Sequence, residues 1–391
     1  MAQPHAVVVG GGIGGLAAAV ALYRKGWAVT VCERAPAPDP AEVGLVLAPN
    51  ALRALDTLGL GGAVRARSAH TSGIEIRRGD GRRLLRLASR ARRGFDGGAH
   101  VLLRSDLVDL LLTRLPAGVV HTATAVSSVE PGDTRRLARV GTEAGEVSAD
   151  LVVAADGLRS AVRSALFLEH PGPVYAGFTT WSAVVPDAGV PVAFGETWGR
   201  GGLVGVLPLP EGRLHCYATA NAPAGENAGD EKAELLGRLA VRHDPLPALF
   251  AAAPSESVRR GDVWHIDTPP PAYHKGRVAL LGDAAHAMTP NLGQGAGQAI
   301  EDAVVLAHHV NGSTAYLPTA LHSYTEARME RTAQTVQRSA QLAEAVQSES
   351  PSAVRLRDVG AGLLGRLAPG TVTRFLDRLY DWRPPVEPAR V

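Results

Sequence analysis

The chain has 391 residues, 46% hydrophobic and 20% charged, which is the composition of a folded protein with a large core and excludes a disordered chain. Basic residues number 40 and acidic residues 38, for a formal charge of +2, which argues against a nucleic-acid partner. Two cysteines, Cys32 and Cys216, supply neither a disulfide framework nor a metal-ligand pattern, and they fit a reducing, cytoplasmic setting.

The chain opens on the apolar run AVVVGGGIGGLAAAVAL. Its glycines, and Arg24-Lys25 directly after it, disqualify it as a signal peptide or membrane span. It reads as a strand over residues 6–9, a glycine turn, and a helix with Leu16, Ala19, Val20 and Tyr23 on one face. A strand at residues 28–32 completes a βαβ unit of a parallel sheet. Residues 70–78 and 82–88 alternate around Gly79-Asp80-Gly81, a hairpin signal. VLLR at 101–104 leads into a helix carrying Leu107, Leu110, Leu111 and Leu115, and DLVVAAD at 150–156 is another buried strand. From about 172 to 265 the segments are short, aromatic-containing and punctuated by Pro and Gly, which predicts an antiparallel sheet. RVALLGD at 277–283 returns to the buried-strand style, and a helix follows with Ala296, Ala299, Ile300, Ala303, Val304 and Ala307 on one face. A long helical pattern covers residues 319–349; the tail beyond is mixed and ends Pro-rich.

Gly10-Gly11-Gly12-Ile13-Gly14-Gly15 follows a strand and opens a helix, as a dinucleotide-binding turn requires. Gly10 permits the tight turn, Gly12 lets the backbone approach a pyrophosphate, and Gly15 allows the helix to pack closely. Glu33, ending the second strand, is placed for ribose hydroxyls. A second acid, Asp283, ends a strand far along the chain and precedes Pro290 and a glycine-rich helix start, so the ligand is expected to extend between the two turns. Free N–H groups at that helix start suit an anionic part of the ligand.

The segments GGGIGGLAAAVALYRKGWAVTVCER, DLVVAADGLRSAVR and GRVALLGDAAHAMTPNLGQGAGQAIEDAVVLA together resemble the class A FAD-dependent monooxygenases, the aromatic hydroxylases with the para-hydroxybenzoate hydroxylase fold. The resemblance spans most of residues 5–310. It implies an α/β protein with a discontinuous, Rossmann-like FAD-binding domain (1–69, 100–165 and 266–335). An inserted antiparallel-sheet substrate domain (70–99 and 166–265) and a C-terminal helical segment (336–391) complete it. It further implies FAD contacts from Gly10, Gly12, Ile13, Gly14, Gly15, Glu33, Arg34, Arg104, Asp156, Asp283, Pro290, Gly293, Gly295 and Ala296. The implied reaction is NAD(P)H reduction of FAD, O2 addition at flavin C4a, and oxygen transfer from the hydroperoxide to an aromatic or polycyclic conjugated small molecule. Epoxidation of an alkene or quinone, or a dehydrogenase or reductase activity on the same fold, are the alternatives. The reductant, NADH or NADPH, binds transiently, since no separate domain for it is evident.

Pocket candidates on the inserted sheet are Trp181, Phe194, Trp198, Leu207, His215 and Tyr217, each of which also suits ordinary sheet packing. His215 and Tyr217 are the candidates for a phenol-deprotonating base, and His286 reads as structural. Many relatives have Trp-Arg-Gly where this chain has Trp181-Ser182-Ala183, and Gly-Ala-Gly where it has Glu42-Val43-Gly44; the first difference removes an anion clamp. Arginines 77, 78, 82, 83, 86, 90, 92 and 93 read as a solvated hairpin rather than a docking face. No metal site, nucleic-acid partner or membrane span is expected, and the oligomeric state stays open between monomer and homodimer.

Overall fold

The computed structural model describes residues 3–37, 42–87, 98–186, 194–239, 243–310 and 314–386. The buried Ala6–Val9 run forms the centre of a six-stranded sheet. Across it the order is His274–Lys275, Val278–Leu280, Leu151–Ala154, His5–Val9, Ala28–Cys32 and Val120–His121. All neighbours are parallel except the outermost hairpin. The helices Ile13–Arg24 and Gly295–His309 pack together on this sheet. Gly14 lets them do so: a methyl group there would lie 2.9 Å from Leu281 Cδ2 and 3.2 Å from Ala299 Cβ.

A seven-stranded sheet faces this layer, in the order Arg259–His265, Val174–Pro186, Arg213–Asn221, Leu203–Pro208, Gly195–Trp198, Ile74–Arg78 and Arg83–Leu87. One pairing departs from the expected antiparallel pattern: Gly195–Trp198 runs parallel to Ile74–Arg78, because the latter arrives from a chain segment a hundred residues earlier. Gly195 is required at that junction, with φ +142° and no room for a Cβ, which would sit 2.0 Å from the Glu75 carbonyl oxygen. The predicted hairpin forms around Gly79–Gly81, and three of its arginines are paired within it: Arg77 and Arg83 share Glu75, and Arg78 pairs with Asp80. Arg90, Arg92 and Arg93 lie outside the described residues.

Two further three-stranded sheets, Gly44–Leu47 with Ala99–Leu103 and Ala69–Thr71, and the meander Val126–Glu130, Ala138–Thr142 and Gly145–Ala149, flank the layers. The helices Glu231–Arg238 and Leu246–Ala252 cover the outer face of the large sheet through Leu235, Leu249 and Phe250. The long helix Leu317–Gln347 crosses the boundary expected at residue 336, and the tail expected to be mixed forms two helices, Pro351–Leu367 and Pro369–Tyr380. Val372, Phe375, Leu376 and Leu379 of the second recur at helical spacing and share its inward face. No helix among the described residues is long and apolar enough to cross a membrane.

Candidate active site

Parallel strands deliver their loops to one edge of a sheet, and here four neighbouring strands end in functional groups. Asp283, Asp156, the Gly10–Gly15 turn and Glu33 follow Val278–Leu280, Leu151–Ala154, His5–Val9 and Ala28–Cys32 in that spatial order. The glycine turn is fixed by sterics: a methyl group at Gly15 would lie 1.9 Å from the Gly10 carbonyl oxygen, and one at Gly10 (φ +106°) 2.4 Å from that of Ala155. Glu33 braces the turn by accepting hydrogen bonds from Gly11 N at 2.6 Å and Ala35 N at 2.7 Å. Asp156 accepts from the Ser160 hydroxyl at 2.6 Å and from Val162 N at 3.1 Å.

A cavity of about 1280 Å³ runs from this edge to the large sheet. Both chain-distant glycine turns border it, as do Ile13, Arg34, Arg104, Pro290, Gly293, Gly295 and Ala296, whereas Gly15 packs behind its wall. Ordinary small-molecule sites occupy roughly 300–1,000 Å³, so the space suits a large cofactor and a second molecule.

The large sheet sorts its residues by the two-residue period of a strand. Trp181, Ala183, Val185, Val204, Val206, Leu214, Cys216 and Ala218 belong to the outer cluster under the covering helices. Their alternates Ser182, Leu203, Leu207, His215, Tyr217 and Thr219 line the cavity, joined by Glu196 and Trp198. One expectation is corrected and one qualified. Trp181 borders the cavity, but it packs in the outer cluster and its indole donates to Glu231 Oε2 at 2.9 Å. Phe194 precedes its strand, is 37% exposed, and is not part of the cavity wall.

His215 Nδ1 accepts from Gly44 N at 3.3 Å, so the neutral ring carries its hydrogen on Nε2. Burial lowers its pKa to about 4, which leaves it neutral but a poor base at pH 7. Tyr217 stacks on His215 at 5.4 Å between centroids and donates to Glu196 Oε1 at 2.9 Å; burial and that acid push its pKa well up. Neither residue is therefore tuned as a proton acceptor near neutrality.

Behind the Gly282–Asp283 turn lies a buried ionic network. Asp302 Oδ2 accepts from Gly282 N at 2.9 Å and pairs with His286 Nε2 at 2.6 Å. Arg328, fully buried, binds Asp302 and Glu301 at 2.6 Å each. His286 thus holds the turn in place from behind.

A model of the FAD binding domain matches residues 4–339. The chain belongs to the FAD-dependent aromatic hydroxylases. The aurachin C monooxygenase/isomerase of Stigmatella aurantiaca is 38% identical over 90% of this chain and 92% of its own. The 2-heptyl-3-hydroxy-4(1H)-quinolone synthase of Pseudomonas aeruginosa is 34% identical over 77% and 79%. The crystal structure of Klebsiella pneumoniae HpxO with FAD and uric acid superposes with a TM-score of 0.86 at 26% identity, covering 97% of this chain and 96% of that one. This hydroxylase is an FAD-dependent monooxygenase, and NAD(P)H is the reductant typical of its family.

The residues present fit FAD. At the start of Gly295–His309 the side-chain amide nitrogen of Gln294 and the amide oxygen of Asn291 are buried without a protein partner, and both residues border the cavity. The first N–H groups of that helix have no intrahelical acceptor. Gly293 sits at φ +60°, and a methyl group at Gly295 would touch nothing, so backbone there is open to a flat ring.

Sequence reasoning missed Glu196, the Arg328 network and the cavity face of Pro369–Tyr380. Only the last carried a legible signal, the spacing of Val372, Phe375, Leu376 and Leu379.

Proposed function

We propose that this hydroxylase inserts oxygen into a neutral aromatic or heteroaromatic ring that bears an apolar substituent. The observation that carries the reading is the substrate half of the cavity. Its described walls include Leu203, Leu207, Leu342, Val372, Phe375 and Leu379 and no lysine or arginine. Of the arginines that border the cavity, Arg34 and Arg104 lie at the carboxyl edge of the parallel sheet, and Arg159 reaches the outermost strand of the large sheet, where it lies over the Trp264 ring at 5.5 Å. A ring carboxylate would be buried there without a cation, a cost of several kcal/mol in an apolar site. Each methylene of an apolar substituent gains about 0.8 kcal/mol on burial. A relative named for an alkylquinolone product accords with this class.

In this reading residues 1–69, 100–165 and 266–335 hold the cofactor, residues 70–99 and 166–265 carry the substrate sheet, and the helices Pro351–Leu367 and Pro369–Tyr380 close the pocket. Gly10, Gly12, Ile13, Gly14 and Gly15 form the pyrophosphate turn, with Glu33 and Arg34 at the adenosine ribose and Arg104 beside it. Asp156 supports the loop between them, and Asp283 takes the ribityl or pyrophosphate hydrogen bonds. Pro290, Gly293, Gly295 and Ala296 present backbone to the flavin ring. Bound FAD supplies the redox and oxygen chemistry, with NADH or NADPH as transient reductant and O2 as co-substrate. The chain's own residues would hold both molecules in one cavity, and the apolar wall would exclude water from the reacting atoms. The thiols of Cys32 and Cys216 are both buried and free, which suits a reducing, cytoplasmic setting.

Two measurements test this. Asp283→Ala is expected to purify largely as colourless apoprotein; fully yellow protein would contradict the role given to Asp283. With 18O2 and NAD(P)H, neutral alkyl-substituted phenols or quinolones are expected to gain one labelled oxygen while benzoates do not. Preferential labelling of benzoates would overturn the substrate class.

A further inference from the structure

The cavity face of the large sheet carries one polar row. Ser182 lies opposite Tyr217, Tyr217 opposite Gly205, and Gly205 opposite Glu196, so four adjacent strands place these residues in line. Gly205 opens a slot in that row: a methyl group there would lie 2.1 Å from Tyr217 Cζ. The Tyr217 ring therefore lies across the neighbouring strand, and its hydroxyl reaches Glu196 Oε1 at 2.9 Å. From the other side Trp198 Nε1 donates to Glu196 Oε2 at 2.8 Å. Two aromatic donors thus fix one half-buried carboxyl group on the wall of the cavity; burial raises its pKa, and the two donated hydrogen bonds oppose that rise.

An acid in an apolar wall is costly unless its oxygens are used. No salt bridge to Glu196 is found among the described residues, and packing alone does not require an acid between two aromatic rings. Each carboxyl oxygen keeps acceptor capacity beyond the bond it already receives. Tyr217, having given its hydrogen to Glu196, turns only lone pairs toward other partners. The row therefore offers the cavity acceptors, and its complement is an N–H or O–H donor.

We infer that Glu196, held by Tyr217 and Trp198, is the substrate-reading acceptor: it binds an N–H or O–H group on the ring to be hydroxylated and sets which carbon faces the flavin. The inference rests on the neutral-substrate reading above and names the residue that orients such a substrate. Glu196 acts by positioning and takes no proton in this scheme.

The test uses FAD-loaded enzyme and two matched pairs of probes: 2-heptyl-4(1H)-quinolone with its 1-methyl derivative, and 4-heptylphenol with its methyl ether. 3-Hydroxybenzoate serves as the anionic probe. Dissociation constants are read from perturbation of the flavin absorption band. Wild type is expected to bind the donor member of a pair about 100-fold more tightly than its methylated partner, as a site built around one hydrogen bond does. In Glu196→Gln the ratio is expected to fall below about 10-fold, and in Glu196→Leu to near unity. FAD content and melting temperature of Glu196→Gln should match wild type, so that a merely structural role would leave the ratio unmoved. Glu196→Gln keeps the side-chain shape and decides the matter alone if the leucine variant fails to fold. An unchanged ratio in Glu196→Gln, or equal wild-type affinity within both pairs, overturns the inference and leaves the neutral-substrate reading standing. Wild-type binding of 3-hydroxybenzoate with no binding of any neutral probe overturns both.

Discussion

Arg328→Leu is expected to destabilise the protein by about 3–5 kcal/mol, the usual cost of removing one partner from a buried ion pair. The guanidinium is fully buried and contacts Asp302, Glu301 and the Gln298 side chain at 2.6, 2.6 and 2.7 Å. Its loss leaves Asp302 with His286 as its remaining side-chain partner, while Glu301 keeps Arg331 at 2.7 Å. Burial works to raise the Asp302 pKa, yet the charges of His286 and Arg328 hold it well below the ordinary carboxylate range. A carboxylate depressed in the folded state stabilises above its unfolded value, near pH 4, and that contribution disappears as pH falls. Without Arg328 the folded Asp302 pKa moves up, so the variant's stability deficit is expected to be largest near pH 7 and to shrink as pH falls. Thermal melts at pH 7 and pH 5 check this; a variant melting with wild type at both would refute the network's role. FAD retention should fall as well, because Asp302 holds the Gly282 amide that sets the Asp283 turn.

Gly15→Ala is expected to abolish stable FAD loading with smaller damage to the fold. The added methyl group would lie 1.9 Å from a backbone oxygen, that of Gly10, and 3.3 Å from Ala155 Cβ. No rotamer change relieves a clash with main chain, so the glycine turn must move. Overpacking of this kind costs about 1–3 kcal/mol, borne where the turn meets the cavity. Flavin absorbance per protein after gel filtration is the measurement, and a fully loaded variant would show that the turn tolerates the shift. The comparison with Gly12→Ala is informative: a methyl group there has only Arg104 at 3.9 Å, so without ligand that variant should fold normally.

The cofactor side was legible because its logic is local. AVVV, AVTVC, LVVA and VAL are buried runs whose ends carry a glycine turn or an acid, and parallel pairing brings those ends together without further information. The substrate side was not legible in the same way. Trp181 and Ser182 are neighbours in the chain, and a one-residue difference in register decides which of them faces the cavity. Aromatic residues drew attention to Trp181 and Phe194, whereas the wall is decided by their strand alternates. Glu196 gives no signal in GETW; its meaning comes from Gly205 and Tyr217, which are aligned with it only in the folded sheet. The Ser182 position, where relatives carry arginine, lies in that same row, so the departure noticed in the sequence and the acid found in the structure describe one change of polarity.

The parallel pairing of Gly195–Trp198 with Ile74–Arg78 ties the two layers into one topological unit. The chain enters the large sheet early, returns through Ala99–Leu103 to the cofactor side, and supplies the remaining strands later. Neither layer is a contiguous stretch that a protease could release as a stable fragment, and unfolding of the two is coupled through every crossing. Folding must wait for contacts between residues more than a hundred positions apart, which places this chain among slow folders that benefit from chaperones during overexpression.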